Sequence, residues 1–134
     1  MALGKTTFLA NKILDLMLGQ TAYDMPDTLY VALFVSAPSD AGGGTEVSGG
    51  SYARIAVTND ATNFPAASGG SKSNATPITF AAATANWGTV THMAIFDALS
   101  GGNMLFVAAL IAPQTINTGG QFSFVIGDLT FTED

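Results

Sequence analysis

The chain holds one histidine, His92, and no cysteine. His92 is therefore the one side chain that could move protons near neutral pH. Asp97 and any of several serines would complete a Ser-His-Asp set, but no serine stands in a Gly-x-Ser-x-Gly elbow. Without cysteine there is no thiol nucleophile, no disulfide framework and no thiolate zinc site, and the redox compartment is unreadable. Asp40 and Glu46 flank Ala41-Gly42-Gly43-Gly44-Thr45 and could set oxygens around a calcium ion. Two carboxylates are few and the spacing is not that of an EF-hand, so a plain flexible loop is the better reading. Asp24, Asp27, Glu133 and Asp134 read as solvated turn and terminus charges, and no carboxylate pair suits a glycosidase. Trp87 and Tyr52 could form a sugar platform, although a single Trp in a β domain more often belongs to the core. Arg54, the only arginine, reads as a hydrogen-bonding anchor in the core or at an interface. These residues define no catalytic, cofactor or metal site, so no enzyme is expected.

The elements that would hold these residues centre on Asn86 to Asp97 and Met104 to Ile111, two apolar runs joined by Ser100-Gly101-Gly102-Asn103. That pattern reads as a β-hairpin. Both faces of the first run are partly apolar: Trp87, Thr89, Thr91, Met93 and Ile95 on one, Gly88, Val90, His92, Ala94 and Phe96 on the other. An interior strand covered on each side fits this pattern. Upstream, Thr6 or Thr7 caps a helix that runs to about Leu18 and stops at Gly19. Its apolar arc is wider than a surface helix needs. The helix therefore closes one end of the core or docks in part on a neighbouring subunit. Strands are predicted over 28–36, 52–58, 77–82, 121–126 and 129–132. The stretches 37–51 and 61–76 are predicted as adaptable loops and 112–120 as a turn. About seven strands after one helix give a mainly β fold, an antiparallel β-sandwich or jelly-roll-like domain. Residues 1–134 make one domain, with the helix in 1–20 and the β core in 28–134.

Composition narrows the classes further. Only 10% of residues are charged, against roughly 25% in an average soluble domain. Low charge with high apolar content is expected of a subunit that hides surface in an assembly. The net charge is −6, and the four cations Lys5, Lys12, Arg54 and Lys72 are scattered. They form no stripe for phosphates or anionic lipid, so neither nucleic acid nor membrane is an expected partner. No apolar run reaches membrane-spanning length and the N-terminus lacks signal-peptide character, so synthesis in the cytoplasm is expected.

The order of motifs carries a resemblance. Leu29-Tyr30-Val31-Ala32-Leu33-Phe34 is followed by Thr45 to Arg54 (TEVSGGSYAR), Ile78 to His92 (ITFAAATANWGTVTH), Ile95-Phe96-Asp97-Ala98 and Gly101 to Phe106 (GGNMLF). This series, over nearly the whole chain, resembles small virion-associated structural proteins of tailed bacteriophages and prophages, of tail-fibre or head-decoration type. The resemblance implies a non-enzymatic virion component, made in the host cytoplasm, whose partners are other virion proteins. A compact domain without a repetitive shaft favours a capsid decoration or cement role, bridging coat subunits as a homo-oligomer. The alternative is a tail, collar, baseplate or fibre component, including a carbohydrate-binding attachment module. Leu9, Ile13, Met17, Tyr52 and Arg54 are the candidate partner contacts.

Overall fold

In the computed structural model, which describes residues 1–133, the elements run β1 (Ala2–Lys5), α1 (Thr7–Met17), β2 (Thr28–Ser36), β3 (Thr45–Glu46), β4 (Ile55–Thr58), β5 (Ser71–Ser73), β6 (Ile78–Thr79), β7 (Gly88–Phe96), β8 (Met104–Ile116), β9 (Ser123–Phe124) and β10 (Thr130–Thr132). The fold is mainly β, as predicted. An eight-stranded sheet takes the order β3-β2-β7-β8-β1-β10-β5, with β4 also on β2, and β6 pairs with β9 as a separate ribbon. The predicted hairpin occupies the middle of the sheet. Ile78, Phe80, Phe122 and Phe124 share one core with Val31, Leu33, Met93 and Ile95, a sandwich-like arrangement. On the other face Ala32, Phe34, Ala94, Phe96 and Met104 form a second cluster. Both faces of β2 and β7 are thus covered, as their doubly apolar sequences require.

The sheet is mixed rather than purely antiparallel. β1 was not anticipated, because Ala2-Leu3-Gly4-Lys5 is too short and glycine-bearing to read as a strand. It pairs antiparallel with β8 and parallel with β10. Thr6 then caps α1: its hydroxyl accepts from the Leu9 N–H at 3.4 Å and donates to the Met104 carbonyl at 2.6 Å. The helix ends where glycine allows it, with Gly19 at φ +113°. Thr28 to Ser36 is a strand over its whole predicted length.

Elsewhere the predicted strands shrink and the loops gain short pairings. Only Ile55–Thr58 of 52–58 and Ile78–Thr79 of 77–82 pair, while β3 and β5 arise inside the two predicted loops. β8 runs on through 112–116, the first part of the turn expected at 112–120. Ala109 pairs with His92 and Gln114 with Val90, so Leu110 to Pro113 stand opposite Thr91 alone. A bulge of this kind tolerates a proline that cannot donate to a ladder. It also breaks the simple alternation and leaves Val90 in the core with Met93 and Ile95.

The hairpin tip depends on glycine. At Gly102, φ is +74° and an added Cβ would lie 2.5 Å from Asp97 Oδ1 and 2.6 Å from the Ala98 Cβ. At Gly101, φ is +62° and nothing lies within 4 Å. Gly101→Ala should therefore cost about 1 kcal/mol for left-handed backbone alone. Gly102→Ala should cost roughly 2–4 kcal/mol, because crowding is added to the same strain. Equal losses in urea-unfolding free energy would refute the crowding account.

Candidate functional site

Arg54 is the most densely bonded side chain in the molecule's interior edge, with 7% of it exposed. Its Nε and one terminal nitrogen donate to the two oxygens of Glu46, each at 2.9 Å. The other terminal nitrogen donates to the carbonyls of Ala98 at 2.8 Å and Gly101 at 2.9 Å. Its guanidinium lies 3.7 Å from the Phe96 ring centroid, a stacked cation–π contact. One planar fork thus ties β3, the residue before β4 and the tip of the β7–β8 hairpin together, which a lysine could not do.

Tyr52 completes the same clasp. β2 pairs with β4 as far as Val31 and with β3 from Phe34. In the gap, the Tyr52 hydroxyl accepts from the Leu33 N–H at 3.0 Å and donates to Glu46 at 2.7 Å. Its ring is edge-on to Trp87 and stacked on Phe80. Burial first, then the hydrogen bond to Glu46, pushes the phenol's pKa well up from its ordinary 10.0. The folded state therefore keeps a proton that the unfolded chain releases. This contribution to stability is whole below about pH 10 and falls as pH rises beyond it. Tyr52→Phe should lose roughly 1–3 kcal/mol, because it leaves the Leu33 N–H without its acceptor. The variant should also show a shallower alkaline decline. Urea midpoints on either side of about pH 10 test this, and parallel wild-type and variant curves would refute it.

The sequence-level chemistry is dispersed by the fold. His92 is half-buried, and its Nδ1 meets Thr91 Oγ1 at 2.9 Å. Asp97 is committed to Asn103, accepting from its backbone N–H at 2.7 Å and from its side-chain amide at 2.9 Å. The two do not form a relay. Glu46 is held by Arg54 and Tyr52, which withdraws it from the ion-binding pair considered with Asp40. Among the described residues no three His, Cys, Asp or Glu side chains gather for a metal. Trp87 is 5% exposed and donates to the Gly50 carbonyl at 2.9 Å, so its indole is core and offers no sugar platform. A groove of about 560 Å³ lies between the first turn of α1, residues 40–44 and the hairpin tip. Its floor, Phe34 and Phe96, is nearly closed off.

The remaining candidates lie on α1. Leu9 is buried and Ile13 half-buried against the core, whereas Met17 is 71% exposed. Leu14, Leu18 and Met25, outside the predicted contact set, are also exposed by more than half. For Leu14 and Leu18 the signal lies in the i, i+3, i+4 spacing of Leu14, Met17 and Leu18 along one side, apart from Leu9 and Ile13, whose i, i+4 spacing faces the core. Behind this stripe Tyr23 packs edge-on to Phe8 at 6.5 Å between centroids. Its phenol is raised by burial first and then by Asp97 and Asp24 nearby. Among the described residues no helix is long and apolar enough to cross a membrane.

No curated protein matches the chain. A family model described as podophage GP4 fiber I protein gp80 matches residues 4–132. That span takes in α1, the central hairpin, the Arg54 clasp and the closing strand, so the chain belongs to this family of phage fibre-type virion proteins.

Proposed function

We propose that this chain is a non-enzymatic structural component of a podophage tail-fibre apparatus, a compact module at a junction rather than a length of shaft. The observation that carries the proposal is the fibre-protein family match over 4–132, which takes in nearly the whole β domain. Compactness by itself favours the head. A module at the fibre base satisfies it equally, and the fibre-family match supports the tail alternative over capsid decoration. Support for a non-catalytic role comes from Asp97, Glu46, Tyr52 and Arg54, each of which is committed to holding the fold. The work of such a protein is mechanical: it adds buried area that resists separation of its neighbours, which are other virion proteins.

Copy number per purified particle, with antibody labelling in the electron microscope, tests the proposal. A small multiple of the tail's rotational symmetry, with label at the tail, is the expected result. Hundreds of copies in fixed ratio to coat protein would restore the decoration role. Absence from particles would remove a virion role altogether.

A further inference from the structure

Between the turn that follows α1 and the β10–β5 edge of the sheet lies a cavity of about 190 Å³. Its walls are aromatic. Phe131 meets Phe106 edge-on at 5.0 Å and Phe64 edge-on at 5.8 Å between centroids, and Tyr23 completes the lining. The buried Leu105 lies at the base. Met25, Asn59 and Lys72, all exposed, set the mouth. Asn59 fixes the turn beside it: its backbone N–H donates to the Asp27 carbonyl and its side-chain amide to the Pro26 carbonyl, both at 2.9 Å. A site shaped before its ligand arrives loses less entropy on binding.

Size and charge decide what fits. A drug-sized ligand needs roughly 300 Å³ or more, whereas an apolar cavity of roughly 150 Å³ holds one benzene. The space therefore suits a single ring. Aromatic walls favour an aromatic occupant, which extends the edge-to-face row. The one charged residue lining the cavity is Lys72. It stands directly across from Phe131 in the β5–β10 pair, so the two side chains leave the same face of the sheet. Among the described residues Lys72 takes part in no ion pair. Asp24 and Asp97 bear on Tyr23 without lining the cavity. A carboxylate beside an incoming ring would therefore meet the Lys72 ammonium. A second copy does not offer that ring, because among the described residues no Phe, Tyr or Trp is exposed.

We infer that this cavity is a socket for one aromatic side chain, flanked by a carboxylate, on a different virion protein. The inference rests on the proposed virion role and adds to it the surface and the chemistry of the partner.

Phenylacetate, one ring with one carboxylate, is the first probe, and benzyl alcohol is its neutral counterpart. In amide NMR spectra of the full-length protein, phenylacetate should bind in the roughly millimolar range and shift the signals of Asn59, Lys72 and Phe131. Lys72→Gln should weaken phenylacetate about threefold and leave benzyl alcohol unchanged. No shifts at these residues, or an equal response of both probes to Lys72→Gln, would overturn the ring-and-carboxylate chemistry. Particles from a phage carrying a nonsense mutation in this protein's gene then test the partner. Wild type should load onto them, phenylacetate should compete, and Met25→Glu/Lys72→Glu should load roughly tenfold more weakly. The variant's melting should be unchanged, since both side chains are exposed. Equal loading of variant and wild type overturns the socket and leaves the fibre role intact. Loading that ignores phenylacetate while the cavity binds it would assign the cavity to a free small molecule and overturn the inference. A wild-type oligomer in sedimentation that the variant dissolves would assign the cavity to a second copy, with the same result. Wild type that fails to load at all would overturn the virion role and the inference with it.

Discussion

Arg54→Ala is expected to lower the unfolding free energy by about 3 kcal/mol or more, the cost of breaking a buried ion pair from one side. For a chain of this length that corresponds to a fall in melting temperature of roughly 10 °C. The loss has three sources on one side chain: the two-pronged pair with Glu46, the bonds to the Ala98 and Gly101 carbonyls, and the stack on Phe96. Glu46 keeps the Tyr52 hydroxyl and is partly open to water, which holds the cost near the low end of the range. Arg54→Lys should recover less than half, because an ammonium cannot fill three sites in one plane. A double-mutant cycle with Glu46→Ala gives the sharper reading: the two losses should be strongly non-additive. Additive losses would mean that the pair is not a unit, and a wild-type urea midpoint for Arg54→Ala would remove the clasp from the account of stability.

Phe80→Ala is expected to cost roughly 3–5 kcal/mol, the usual toll of emptying a buried aromatic site. Phe80 is 1% exposed and sits between two partners. Its ring stacks on Tyr52 at 6.2 Å between centroids and meets Phe122 edge-on at 6.1 Å. The damage should spread beyond the cavity, since Tyr52 bonds both Leu33 of β2 and Glu46 of β3 and also packs against Trp87. Trp87 offers a built-in probe. Acrylamide should quench it weakly in the wild type, where it is 5% exposed, and more strongly in Phe80→Ala. Phe80→Leu, which keeps most of the volume, should lose less than about 2 kcal/mol. Equal losses for Ala and Leu would show that filling the site is not what Phe80 contributes.

What the sequence made legible was what local pattern controls. Thr6, the run 28–36 and the glycines at 101–102 each announce their element through side-chain chemistry, and the structure places a cap, a strand and a hairpin tip there. The misses have a common physical cause. β1 becomes a strand because β8 and β10 stand on either side of it, and no property of Ala2 to Lys5 encodes that. β8 crosses Pro113 because a bulge absorbs the missing donor, and the partner strand sets the bulge. The candidate site divides in the same way. Arg54 was identifiable as an anchor, whereas its pairing with Glu46 depends on a loop fold that spacing does not specify. The outward stripe on α1 was visible as surplus apolar residues, but which of them face the core was not.

The placement of β1 between β8 and β10 also bears on how the chain reaches this state. Ala2 lies opposite Thr130 and Gly4 opposite Val107. β1 must therefore wait for two partners that lie far downstream of it in the chain. Contacts so distant in sequence carry a large loop-closure entropy and slow the search. The β7–β8 hairpin, closed by a short tip, can form early, while the β1 edge of the sheet stays open until synthesis has passed Thr130. An open, partly apolar edge is an invitation to pair with another nascent chain. Yield of native protein should therefore depend on translation outrunning association, and dilution or slower initiation during expression should raise it.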